Sequence, residues 1–422
     1  MLKQLVCFLL LGVFLCSGCG DEFTKPVEPS YPYPPEDNEF LYEIEENGEV
    51  TVTNIPNVEE FIIPENITYN EEKFIVTFIG ENAVANKDNL KTLYLPPTLK
   101  RIDKKAFAYT SLENLFIEDL SSWCNIDFEY ETYNGHHNRY DYSSSACPIS
   151  PFTNLYINNQ LIETLIIPDD VFEIPAFAFN NLNCKKVIIG KNVRNIDIKA
   201  FYQSSLEDLD LGDNTESIWQ EAFASCENLK TIRLSPTLSV VAYGSFYGAD
   251  NISKVYSPNE YVPFYINQYL SLYDYFAQPA FGYSYDFYIN NGLPENIVVP
   301  FSEKELGDYI FAGAKNVRSV VYEEGLKTTG FLAFCYCENL ESVTLPSTLE
   351  TIGTHFTGCR NLKKLEIRSQ IPPERAQGYG SALEIDDYNY MHTTLYVPEE
   401  SIQLYKESIY WGQFKNILPI DE

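Results

Sequence analysis

Apolar positions recur along this chain in a unit of 22 or 23 residues. The unit is clearest where Cys226, Leu229, Ile232, Leu234, Pro236 and Leu238 lead to Phe246. It returns as Cys337, Leu340, Val343, Leu345, Pro346, Leu349 and Ile352, and starts again at Cys359, Leu362, Leu365 and Ile367. The Phe that closes each unit stands at 107, then at 179, 201, 223 and 246, then at 311, 334 and 356. The centres Leu165, Val187, Leu209, Ile232 and Val255 keep the same step, and Ala83-Val84 marks an earlier, weaker copy.

Each part of the unit predicts an element. Alternate apolar residues in the L-x-x-L-x-L core place one face inward, which is a short strand. Pro96, Pro168, Pro300 and Pro346 follow strands and stop them, because proline cannot donate to a ladder. Asn89, Asn228, Asn251, Asn316, Asn339 and Asn361 sit just before strands. There an Asn side chain is expected to bond its own turn and to take a left-handed backbone. The Ala-Phe pair predicts a short turn or helical stub on the opposite side. One unit cannot bury its apolar face alone, so the copies must stack. The predicted fold is an α/β-type solenoid, a right-handed superhelix of short parallel strands and short helical or turn segments. Two insertions interrupt nine copies.

The N-terminal residues predict export. Lys3 precedes an apolar run of eleven residues, Leu5 to Leu15. That suits a signal peptide and is too short for a bilayer span of about 20 residues. Ser17, Gly18 and Cys19 resemble a bacterial lipobox, with Cys19 the lipidation site, although Cys16 stands where Leu is usual. The alternative is an ordinary leader with a chance Cys. Gly20, Asp21 and Glu22 resemble the export signal of Bacteroides-type lipoproteins, and the Pro-rich run 25–35 reads as a semi-rigid tether. The expected organisation is a signal peptide over 1–18, a tether over 19–38 and one solenoid over 39–422. Within the solenoid, 39–78 form an N-terminal cap, 79–367 the repeats and 368–422 a C-terminal cap. The insertions lie near 118–154 and 257–293.

Charge and cysteine placement narrow the function. Against 60 acidic residues there are 29 basic ones, a net charge of −31. Such a surface repels phosphate backbones, so no nucleic acid is expected, and membrane contact only through the lipid. Cys226, Cys337 and Cys359 share one repeat position and read as small inward-facing core residues. Cys335 and Cys337 therefore read as core and not as a redox pair. Cys124 and Cys147 are the one plausible disulfide pair. Asp127, Glu129, Glu131, His136, His137 and Asp141 lack metal-ligand spacing, and no catalytic or phosphate-binding motif is present. No metal, cofactor or enzymatic activity is expected.

The repeat, the N-terminal strand region around Val50, Val52 and 61–64, and the terminal segment Thr394 to Pro398 with Trp411, Phe414 and Ile417 resemble the BspA-like leucine-rich-repeat family of bacterial surface proteins. The resemblance spans about residues 40–422. It implies an extracellular leucine-rich-repeat solenoid, with some members binding host matrix proteins, and implies no catalytic residue.

Function is expected on exposed strand positions and on the insertions. Outward residues on the inner curve include Tyr94, Phe116, Ile166, Ile188, Arg233 and Tyr256, and the first four are large and apolar where solubility asks for polarity. The insertions bring Tyr130, Tyr133, Tyr140, Tyr265, Tyr273 and Tyr283, rings suited to protein or sugar contact. The leading expectation is an outer-membrane, lipid-anchored lipoprotein at the cell surface that serves adhesion or ligand binding, with a protein such as host matrix as its partner. The alternatives are glycan capture through the aromatic insertions and a purely structural surface role.

Overall fold

A computed structural model describes residues 5–8, 39–134, 140–143, 146–242, 244–258, 284–299, 311–329, 334–353, 356–375 and 387–420. They divide into two compact units, residues 1–163 with 174–184, and residues 164–173 with 185–422. Of the expected leader, only Leu5–Phe8 is described, as a strand antiparallel to Phe40–Glu43. Cys19 and the expected tether lie outside the described residues. Among the described residues no helix is long and apolar enough to cross a membrane.

The first unit is built from two sheets. One runs Glu60–Ile62, Thr92–Tyr94, Asn114–Ile117 and Asn154–Ile157, all parallel, and closes on the antiparallel Gln160–Leu161. The other begins with antiparallel Phe40–Ile44 and Glu49–Asn54, then turns parallel through Glu72–Ile79, Arg101–Ile102 and Asp127–Phe128. The segment expected to cap the array therefore already supplies coil strands. Likewise, Asp127–Phe128, inside the first insertion expected near 118–154, pairs with a repeat strand, as does Asn154–Ile157, which begins at that insertion's end. Between them, Glu131–Asn134 and Tyr140–Ser143 form a separate antiparallel hairpin.

The second unit stacks six parallel strands, Thr164–Ile166, Lys186–Ile188, Asp208–Asp210, Thr231–Arg233, Lys254–Ser257 and Asp286–Ile289. Leu165, Val187, Leu209, Ile232 and Val255 align across them and are fully buried. A further sheet of six runs from Asn296–Val299 through Ser319–Tyr322, Ser342–Leu345, Lys364–Ile367 and Thr394–Val397 to Asn416–Pro419. The fold is thus a parallel-strand β-solenoid with little helix. Described α-helices are single short turns such as Asp387–His392 and Ile402–Glu407.

The sequence allowed a helical stub at the repeat Phe, and the backbone explains why a turn forms instead. Two residues before the Phe, Lys105, Lys199 and Glu221 have φ of 62°, 53° and 55°. Two residues after it, Tyr109, Gln203, Ser225 and Tyr336 have φ of 59°, 57°, 57° and 59°. Left-handed residues at both sides cannot continue a right-handed helix. Their cost, of order 1 kcal/mol or more each, is offset by a second hydrogen-bond ladder. Phe201 N–H donates to Ala222 O at 2.7 Å, Gln203 N–H to Ala224 O at 2.8 Å, and Phe223 N–H to Ser245 O at 2.7 Å.

The rings between these bends form a spine. Phe201 and Phe223 stack at 5.1 Å, Phe223 and Phe246 at 5.2 Å, and Phe311 and Phe334 at 5.3 Å. Three residues after the Phe comes the repeat Cys, inward as expected, but it does more than fill space. The Cys226, Cys337 and Cys359 thiols donate to the carbonyls of Phe201, Phe311 and Phe334 at 3.2, 2.9 and 2.8 Å. Thr110 donates to Val84 O from the same position, and Asn389 Nδ2 donates to Phe356 O. A small buried donor thus ties successive coils together, adding a second hydrogen bond to a Phe carbonyl that already accepts an N–H within its own turn, as Phe201 O does from Ser204 and Phe311 O from Ala314.

Phe223 lies between two stacked rings and is fully buried. Phe223→Ala is expected to lower unfolding stability by about 3–5 kcal/mol. Tyr109→Ala, 87% exposed, should stay within about 0.5 kcal/mol. Urea titration followed by circular dichroism checks both.

Candidate functional site: the solvent face of the parallel strands

Three-residue strands leave two outward side chains, one on either side of an inward one, so parallel register lines equivalent residues up in rows. In the first unit, Ile62, Tyr94, Phe116 and Tyr156 stand side by side, with Leu161 closing the row across the hairpin. Tyr94 stacks on Phe116 with centroids 4.3 Å apart and an interplanar angle of 15°. Phe116 stacks on Tyr156 at 4.3 Å and 11°. Ile62 and Leu161, at the two ends, are 62% and 51% exposed. Beside the rings runs a polar ladder in which Asn154 Nδ2 donates to Asn114 Oδ1 at 3.2 Å and Asn114 Nδ2 to Thr92 Oγ1 at 3.3 Å. Partial burial raises the Tyr94 phenol, helped by the charge of Glu60 and a hydrogen bond to it.

The sequence-predicted row therefore divides. Tyr94 and Phe116 belong to the first unit, whereas Ile166, Ile188, Arg233 and Tyr256 lie in register in the second, with Asp210 among them. Two ring positions were missed, Tyr156 beside Phe116 and Tyr288 beside Tyr256, the latter pair stacked at 4.4 Å. The signal was present: Asn154-Leu-Tyr-Ile repeats Asn114-Leu-Phe-Ile, and the run Tyr-Ile-Asn-Asn occurs at both 156–159 and 288–291. In both runs the Asn pair has positive φ, 48° and 62° in the first and 48° and 63° in the second. Such residues turn a two-residue hairpin, which folds the chain back over the strand it has just made.

The remaining row is Val298, Val321, Thr344, Glu366, Tyr396 and Leu418. Here Lys364 Nζ lies 5.2 Å from the Tyr396 ring centroid, and Glu366 accepts from Lys364 and Arg368 at 2.8 and 2.9 Å. Burial pushes the Glu366 carboxyl up, but the two cations outweigh it and the net shift is down.

The insertion residues are less fully placed. Tyr130 is partly exposed and its ring meets Phe177 at 5.5 Å, tilted by 40°. Tyr133 and Tyr140 lie on the backbone of the separate hairpin, while Tyr265, Tyr273, Tyr283, His136 and His137 lie outside the described residues. Among the described residues no group of His, Cys, Asp or Glu is placed to hold a metal. Cys124 and Cys147 are buried thiols, and Cys147 donates to Ala178 O at 3.5 Å. Burial pushes the Cys147, Cys226 and Cys337 thiols up to about 12, which suits hydrogen-bonding core residues and not nucleophiles.

The expected Asn contacts need correction. Asn251, Asn339 and Asn361 do not bond their own turns. Their Nδ2 groups donate to Glu227 O, Lys315 O and Glu338 O, at 2.7, 2.7 and 2.8 Å, each on the preceding coil. The carbonyl of the coil below lies closer to each side chain than its own turn, because the coils stack at sheet spacing.

Stacked coils, buried Leu rows and rows of exposed residues on short parallel strands define a leucine-rich-repeat scaffold. The model of the BspA-type leucine-rich-repeat region, in six copies, matches residues 39–133, 153–270 and 283–379. The chain belongs to the BspA-type leucine-rich-repeat family. No curated protein matches it closely. Among solved structures it is similar to a leucine-rich-repeat protein from Bacteroides ovatus, at 16% identity and TM-score 0.39, covering 93% of this chain and 100% of that one. A leucine-rich cell-surface protein from Faecalibacterium prausnitzii is 17% identical at TM-score 0.38, with coverage of 85% and 99%. The pneumococcal vaccine antigen PcpA is 16% identical at TM-score 0.36, with coverage of 92% and 98%.

Because the Glu366 carboxyl is held below its unfolded value, its contribution to stability is complete above the ordinary glutamate range. It is lost as pH falls through the lowered folded value. Thermal melts of the wild type are thus expected to fall more steeply on acidification than those of Glu366→Gln, which removes this titration.

Proposed function

We propose that this protein is a lipid-anchored surface scaffold that binds a protein ligand through the solvent face of its first unit. The observation that carries the reading is the row Ile62, Tyr94, Phe116, Tyr156 and Leu161. A solvated strand row ordinarily takes polar residues, and five large apolar ones in register form the kind of patch that marks a contact surface. Aromatic anchors with a polar tip dominate protein interfaces. The stacking also bears on the ligand class. Stacking covers both faces of Phe116 and one face each of Tyr94 and Tyr156, so edges and hydroxyls are the parts of the row most open to a ligand. Sugar capture by face-on stacking would need those faces. Membership of a scaffold family and the absence of a catalytic motif in the sequence agree with binding as the activity.

The anchor is part of the same proposal. The short apolar leader would direct export and be removed, and lipidated Cys19 with the Pro-rich segment over 25–35 would hold the repeats away from an outer membrane and present them at the surface.

Two measurements test these statements. Full chain in detergent is applied to arrays of extracellular matrix proteins and of glycans, beside a Tyr94→Ser, Phe116→Ser variant of unchanged circular dichroism. Saturable protein binding weakened by about 100-fold in the variant is expected, from about 2–3 kcal/mol of lost anchor contacts. Equal binding by both forms, or capture of glycans alone, would sink the protein-ligand reading. Separately, Cys19→Ala is expected to abolish labelling by radioactive palmitate and to move the protein from the membrane to the soluble fraction. Undiminished labelling would remove the anchor from Cys19.

A further inference from the structure

Among the described residues, one cation of the second unit, Arg233, has no ion-pair partner. The chain has 29 basic residues against 60 acidic ones, and its cations are commonly paired from coil to coil. Arg194 meets Glu216 at 2.8 Å, Lys230 meets Glu207 at 2.8 Å, Arg318 meets Glu341 at 2.8 Å, and Lys327 meets Glu350 at 2.7 Å. Arg233 is different. Its guanidinium carbon lies 4.3 Å from the Tyr256 ring centroid, and the other face of that ring is stacked on Tyr288. Among the described residues, neither Arg233 nor Lys254 on the next strand has an ion-pair partner.

The three aspartates of this sheet form no ion pair with either cation, although Asp210 stands in register with Arg233 and Asp286 with Lys254. Asp208 pairs with Lys186 at 3.7 Å, Asp286 pairs with Lys315 at 3.5 Å, and Asp210 Oδ1 accepts from Gly212 N–H at 3.1 Å. The sheet that holds Tyr396 makes the contrast plain. There a cation also lies over a tyrosine, but Glu366 closes the charge from within the chain. At Arg233 no carboxylate among the described residues closes the charge within ion-pair distance. The guanidinium lies over the ring, and its planar fork of N–H groups is of the kind that fits a carboxylate through two parallel hydrogen bonds.

We infer that Arg233, laid on Tyr256 and supported by Lys254, receives a carboxylate of a protein ligand, supplied by an Asp or Glu side chain or by a C-terminus. The inference rests on the proposed function and names a second contact of the same ligand class. An isolated carboxylate is favoured over an acidic polysaccharide for two reasons. A repeating polyanion meets the field of a chain carrying −31, whereas one carboxylate on a neutral or basic surface does not. Both faces of Tyr256 are covered, so no ring face remains for a sugar.

Full chain in detergent is tested on an array of 15-residue peptides, each with a central Asp or Glu and a twin carrying Asn or Gln. Both are made with free and with amidated C-termini, and polygalacturonate is spotted beside them. The wild type is expected to prefer acid over amide twins by about tenfold, matching one charge-assisted pair. Arg233→Gln should abolish the preference, and Arg233→Lys, which keeps the charge but not the fork, should leave only part of it. A preference that disappears on C-terminal amidation assigns the carboxylate to the chain end, and one that survives assigns it to a side chain. Twins bound alike, or a preference unchanged in Arg233→Gln, overturns the inference. Polygalacturonate captured by the wild type and lost in Arg233→Gln overturns it in favour of an acidic glycan. If twins bind alike but the Tyr94→Ser, Phe116→Ser variant still loses peptide binding, this inference falls and the protein-ligand reading stands. Silence from every peptide rejects both.

Discussion

Hydrogen bonds between successive coils, kept in one register, are what the rest of this protein depends on. A three-residue strand has no internal partner for its backbone, so every inward Leu, Val or Ile is held in place by the coils on either side. The same dependence runs through the Phe bends, where a second ladder joins Phe201 to Ala222 and Phe223 to Ser245. Cys226, Cys337, Cys359, Thr110 and Asn389 then add side-chain hydrogen bonds to carbonyls of the preceding coil. A shift of one residue would turn every inward side chain outward, which accounts for the constancy of the 22- or 23-residue step.

That constraint acts on the interior and leaves the solvent face of each strand without one. Residues there are not chosen by packing between coils, so their chemistry carries information about what they meet. The first unit uses this freedom for a run of apolar and stacked aromatic residues, and the second for Ile166, Ile188, an arginine on a tyrosine, and a buried glutamate between two cations. Ion pairs along the exposed coil edges, such as Lys91 with Glu113, follow the same step but contribute little, at most about 1 kcal/mol each.

Interruptions obey the constraint as well. Each of the two Tyr-Ile-Asn-Asn runs completes a coil strand and then folds back on it, pairing residues of that strand with the arm that follows. An arm that pairs an otherwise open strand edge lessens the risk that another chain will pair there. The hairpin turns are also where the period was hardest to read, because a strand that begins 40 residues after its neighbour, as Asn154 does after Asn114, escapes a search for a step of 22 or 23.

The amino-acid sequence by itself determined the repeat, its strands, their inward faces and the buried Phe and Cys positions. These follow from local periodicity, and burial of an apolar stripe permits few other arrangements. It also pointed to Tyr94 and Phe116 as exposed rings. Only the tertiary structure decided which residues stand beside them. Tyr156 and Tyr288 join their rows through pairing across inserted segments whose length hides the register. The Asn side chains bond the coil below, and Arg233 lies on Tyr256, because stacking brings residues about 23 positions apart within hydrogen-bonding distance. Contacts of that kind depend on where coils meet in space, and no local pattern records it.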